Sequence, residues 1–214
     1  MQEHNRTRPR IELAVCSKTD SGVSNPWRPI LLACTVFLLA GYCLYLMAVI
    51  FPAPSWALMV IEWSTPTVRA LHSAANVAEL RGQSPFPAQV VILYCAWGSI
   101  VLTAWCVYHC FFTRPLRESW FRHAERRAIE QKFTRAKLIT VGLITTSIWL
   151  FYPTVLFIHS PSSTSWQATN FFSPSFGSIT FLLLAGYVNV IAVLGLLPLY
   201  FGLTNRLAKL HTKD

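Results

Sequence analysis

Four stretches of the chain carry no Asp, Glu, Lys or Arg: residues 30–51, 88–112, 138–158 and 179–203, of 22, 25, 21 and 25 residues. A helix needs roughly 20 apolar residues to cross roughly 30 Å of hydrocarbon, so each stretch can span a bilayer. In lipid every backbone N–H and C=O must be satisfied within the protein, which leaves helices and closed barrels. Alternating strands of roughly ten residues, the signature of a barrel, do not occur here. The pattern therefore predicts an all-α membrane protein with four transmembrane helices. The first stretch is longer than the apolar core of a signal peptide, and Pro52 and Pro54 stand where a small-residue cleavage site would be, so it is expected to be retained.

Between the spans the pattern changes. In the connection 52–87, Val68, Leu71, Ala75 and Ala78 recur at helical spacing, with Arg69, His72, Asn76 and Glu79 on other faces. This predicts a short amphipathic helix over 67–81, at the membrane surface or against the bundle, with Trp56 and Trp63 at headgroup depth. The connection 159–178 has no charge, and its Trp166, Phe171, Phe172 and Phe176 are expected in the interface or capping the bundle. The connection 113–137 is the most distinctive. Leu116, Trp120, Ala124, Ala128 and Ile129 recur at three and four within a strongly basic stretch, which predicts a basic amphipathic helix. Glu118 and Arg122 form an i,i+4 pair in the favourable order.

Composition agrees with a membrane setting. Apolar residues make up 53% of the chain and charged ones 13%, about half the charged share of soluble domains. The charges that remain are distributed unevenly. Five Lys or Arg lie in the tail 1–29, eight in 113–137 and three in the tail 204–214, so 16 of 18 are on one side; 52–87 has two and 159–178 none. The positive-inside rule makes the basic side cytoplasmic and predicts an N-in, C-in protein of the bacterial inner membrane. It also gives the net charge of +9 a use: the basic side meets a lipid bilayer with an anionic inner leaflet, and no direct contact with nucleic acid is expected.

Candidate chemistry is sparse. Cys16 lies in the tail, Cys34 and Cys43 in the first span, and Cys95, Cys106 and Cys110 in the second; there is no C-x-x-C. Cys106 and Cys110 are one turn apart with His109 between them, a spacing read as packing, since two further ligands at that depth are not evident. His109 and His159 fall at opposite ends of their spans and cannot share a haem. Thr140, Thr145, Thr146, Ser147 and Asn189 are expected to hydrogen-bond between helices. Pro153 and Pro198 are expected to kink the third and fourth spans. No catalytic, cofactor-binding or metal site is expected, and the spans lack the buried charges that mark proton paths.

Arg117-Glu118-Ser119, followed by His123-Ala124-Glu125-Arg126-Arg127, resembles the R-E-S … H-A-K-R element of integral membrane proteins encoded on integrating conjugative elements, with Glu125 where that family is basic. The turn at His159-Ser160-Pro161 is similar to a His-Pro of the same proteins. The resemblance implies an inner-membrane accessory of a DNA-transfer or secretion apparatus. The expected function is therefore a non-catalytic protein that packs its helices against other membrane proteins of a larger complex. Arg117, Glu118, Trp120, Arg122, His123, Arg126 and Arg127 are the candidate contacts with a partner or with lipid. A small transporter or channel subunit, and an immunity or exclusion protein acting through its outer loops, are the rival expectations.

Overall fold

The computed structural model describes residues 27–131, 133–158 and 172–204. The expectations for Cys16, His159, Trp166, Phe171 and most of the two tails lie outside these residues. So do those for the side chains of Leu116, Ala128 and Ile129.

Every described element is helical. The first span is α1 (Trp27–Ile50), the second α4 (Phe86–Phe111). The third is α6 (Arg135–Pro153), continued by a π-helical turn, Thr154–Ile158. The fourth is α7 (Phe176–Ala192), a 3₁₀ turn Val193–Gly195, and α8 (Leu196–Thr204). Between them lie α2 (Ser55–Ser64), α3 (Ala70–Leu80) and α5 (Arg114–Glu130). The spans begin two to three residues earlier than their apolar stretches because polar and proline residues suit a first helical turn. Pro87 sits near the start of α4, and the Thr134 hydroxyl accepts from the Lys137 N–H (3.4 Å) at the start of α6.

The two expected kinks are changes of winding. Pro153 offers no N–H to the carbonyl of Trp149, and the chain passes at once into the wider π turn. Pro198 likewise leaves the Leu194 carbonyl without its helical donor, and the tight 3₁₀ turn lies just before it.

The fourth span is central: 50% of its most apolar window is buried, against 17% in the third span and 22% in the first. It packs on α1 and α4 on one side and on α6 on the other. Leu32, Leu39, Val101, Ile144, Phe151 and Val188 point outward along the spans. In water such a surface would be an aggregation site; in lipid it is the ordinary surface of a bundle. The chain is a multi-pass integral membrane protein with four spans.

The 52–87 connection holds two helices where one was expected. α2 turns Ala57, Ile61 and Ser64 inward and leaves Trp56 and Trp63 outward, at 69% and 77% exposure. Residues 55–64 are apolar on both faces, so no amphipathic period marks this helix in the sequence. α3 packs against the bundle, its Leu71 and Ala74 sharing a core with Val91, Ile92 and Leu182. It ends where Gly82, at φ +62°, lets Gln83 donate to the Ala78 carbonyl (2.9 Å) and Gly82 to that of Glu79 (3.0 Å).

Contacts between helices are made differently from the expectation. Thr145 and Ser147 bond to carbonyls of their own helix, Val141 (2.8 Å) and Leu143 (2.9 Å). A short hydroxyl side chain reaches the carbonyl one turn back before it reaches a neighbour. Among the described residues, Thr146 Oγ1 and Asn189 Oδ1 have no hydrogen-bond partner. Three tyrosines of the spans make long-range bonds instead: Tyr94 to the Phe37 carbonyl (2.8 Å), Tyr152 to that of Leu182 (3.2 Å) and Tyr45 to that of Pro174 (3.2 Å).

Candidate functional site

α5 follows α4 after two residues and lies across the end of the bundle that also holds the start of α1, the start of α6 and the end of α8. Its helical period divides the candidate residues into two groups. Trp120, at 2% exposure, is inside, and His123 is half-buried beside it. Glu118, Arg122, Arg126 and Arg127 are exposed, and Arg117 is half-buried.

The inward group meets a residue assigned from sequence to the tail. Trp27, the first residue of α1, places its ring 4.8 Å from that of Trp120 in an edge-on contact, and its indole Nε1–H donates to His123 Nε2 (3.3 Å). That nitrogen of His123 is thereby the acceptor of the contact. Phe121, not among the residues expected at this site, stacks on Tyr200 (centroids 5.6 Å apart, planes at 6°) and meets Phe201 edge-on (5.7 Å). Arg135 at the start of α6 donates from Nε to the Gly202 carbonyl (3.1 Å), joining α6 to the end of α8. Pro29 in the first turn of α1, just ahead of an unbroken apolar run, was the available signal that the helix begins by Trp27. For Phe121 the signal was its place beside Trp120 and three residues before Ala124.

Beneath α5 these residues enclose a half-open cavity of about 380 Å³. Leu138, Val141, Leu194, Leu197 and Phe201 form its apolar floor, and His123, Arg127 and Gln131 its polar rim. Further in, Cys34, Cys106 and Cys110 are buried in one apolar cluster with Ile30, Val190 and Val193. The i,i+4 cysteines of the second span thus face the interior as packing groups. Among the described residues no three of His, Cys, Asp and Glu come together as a metal site. Such an arrangement can hold an amphiphile or seat a helix.

The opposite end is tied by Arg81, whose guanidinium donates to the Ser173 hydroxyl, and by Gln89, which donates to the Leu71 carbonyl (3.4 Å). Phe172 is buried there and Phe176 lies against Tyr42 and Tyr45, so both cap the bundle.

Comparison with known protein families, with characterised proteins and with solved structures finds no match to this chain.

Proposed function

We propose that the protein is a non-catalytic accessory of a larger inner-membrane assembly, with its basic end in the cytoplasm. There it offers the outward row Arg122, Arg126 and Arg127 to a protein partner. One observation carries this reading: α5 is seated on the bundle through Trp120 and Phe121, while Arg122, Arg126 and Arg127 stay exposed. A helix whose only task were to lie on an anionic leaflet would need no such fixed seat, since its apolar face would enter the lipid. A rigidly held cationic row is suited to an acidic protein surface. The resemblance of Arg117-Glu118-Ser119 and His123-Ala124-Glu125-Arg126-Arg127 to proteins of integrating conjugative elements makes DNA transfer or secretion the most specific form of the proposal.

The test is a photo-reactive residue in place of Arg126, crosslinked in native membranes and read by mass spectrometry. Trp120, though central to the motif, is buried and unsuitable as the probe position. A reproducible crosslink to a component of a transfer or secretion machine is the expected result. Crosslinks to lipid or to the chain itself alone would sink the docking role and leave α5 as a membrane anchor.

A further inference from the structure

The cavity beneath α5 is apolar at one end and cationic at the other. Its floor belongs to the spans: Leu194, Leu197 and Phe201 stand ten, seven and three residues before Thr204, where α8 ends. At roughly 1.5 Å per residue the floor therefore runs from near the end of the fourth span to about 15 Å within it. From α6 it is lined by Leu138, where the apolar stretch of that helix begins, and by Val141, three residues deeper. Val141 is 38% exposed on the outer side of its span, so the cavity opens towards the hydrocarbon as well as the basic end.

The polar groups are gathered at the rim. Arg127 and Gln131 are exposed there, and His123 is held beside them by the Trp27 indole (3.3 Å). Among the described lining residues none is acidic, and no carboxylate pairs with Arg127.

Size and charge select the occupant. A helix with its side chains is roughly 10–12 Å across, too wide for a space of about 380 Å³, whereas a single acyl chain is narrow enough to enter. A quaternary ammonium could rest on the Trp27 and Trp120 rings, but Arg127 repels it and no described carboxylate receives it. A phosphodiester suits the rim better. It accepts a forked pair of hydrogen bonds from a guanidinium, and a further one from an amide such as that of Gln131. The rim and the floor also lie in the order in which a phospholipid presents its phosphate and its chains at a membrane surface.

We propose that this cavity binds one anionic phospholipid, with its phosphate at Arg127 and Gln131 and one acyl chain along Leu197, Leu194 and Val141. Such a site is discrete, unlike the general attraction of a basic face to an anionic leaflet. It shares Arg127 with the docking row but rests on the cavity, and it needs no protein partner. Lipid binding is read on the isolated chain, so its failure and the failure of the crosslink from Arg126 are separate results.

The experiment titrates the full chain in an uncharged detergent with phosphatidylglycerol and, separately, with phosphatidylcholine, and reads bound lipid by native mass spectrometry. One phosphatidylglycerol per chain is expected, bound about tenfold more tightly than phosphatidylcholine. Arg127→Ala should remove that preference. Arg126→Ala, which takes the same charge from outside the cavity, should keep it. Val141→Trp, which obstructs the cavity from an exposed position, should weaken binding of both lipids. Equal binding of the two lipids by the wild type overturns the proposal, as does an equal loss on Arg126→Ala and Arg127→Ala, the mark of a diffuse basic field. Binding that appears only after residues 1–24 are removed also overturns it, and gives the cavity to the chain's own tail.

Discussion

Among the described glycines, Gly142 and Gly202 of the third and fourth spans are the ones a neighbouring helix's backbone approaches most closely. A Cβ on Gly142 would meet the Leu199 backbone at 2.7 Å, and one on Gly202 would meet the Ile139 side chain at the same distance. Gly195 is closed off by Thr145. A backbone neighbour cannot rotate away as a side chain can, so the helices themselves would have to separate. Gly142→Val is therefore expected to lower stability by about 2 kcal/mol in denaturant unfolding, within the range for overpacked cores. Gly177 has nothing within 4 Å of the same position, and Gly177→Ala should raise stability by about 0.5 kcal/mol. An equal response to both substitutions would mean the close approach carries no energy. Gly82 is a different case, with open space around it but a left-handed backbone, so Gly82→Ala should cost about 1 kcal/mol through conformation alone.

α5 is the element whose attachment has a measurable consequence. Trp120 is the most buried of its described residues, and replacing a buried Trp by Ala costs about 3–5 kcal/mol in protein cores. Trp120→Ala should loosen α5 from the bundle while the four spans remain inserted. The measurement is trypsin cleavage after Arg122, Arg126 or Arg127 in proteoliposomes, expected to be at least about tenfold faster. Unchanged cleavage would show that Phe121 alone holds the helix. The existence of α5 was legible in its three-and-four period, and the spans were legible from length and lack of charge. What each span faces was not, because lipid-facing and buried positions are equally apolar. In α1 the buried positions are Ile30, Cys34, Phe37, Gly41, Tyr45 and Ala48, while Leu31, Leu32, Val36, Leu39 and Leu46 face out. The usable signal was size and polarity: small and aromatic residues go inward at steps of four and three, and branched aliphatics meet lipid. α2 lacked even that, and the clasp between Trp27 and His123 joins positions that no local period relates.

At the scale of the whole molecule, all the described basic-end elements gather where α1 begins and α8 ends. An even number of spans makes that one side of the membrane. The charge bias predicts that a cysteine at Arg126 is labelled by a membrane-impermeant maleimide in inverted vesicles, and one at Gln83 in right-side-out vesicles, both positions being exposed. The reverse pattern would overturn the orientation. The bond from Trp27 to His123, 96 residues apart, also orders events in time. At about 5–20 residues per second of synthesis, the indole waits about 5–20 s for its acceptor, and longer for Leu194 and Leu197 to close the floor beneath it. The first span enters the bilayer well before the place it will occupy exists. A nascent or truncated chain with only two spans therefore keeps an unfinished basic end, with α5 lacking Tyr200 and Phe201 to rest on. Whatever α5 engages should meet a competent surface only after the last span has been inserted, which makes completed biogenesis itself the condition for recognition.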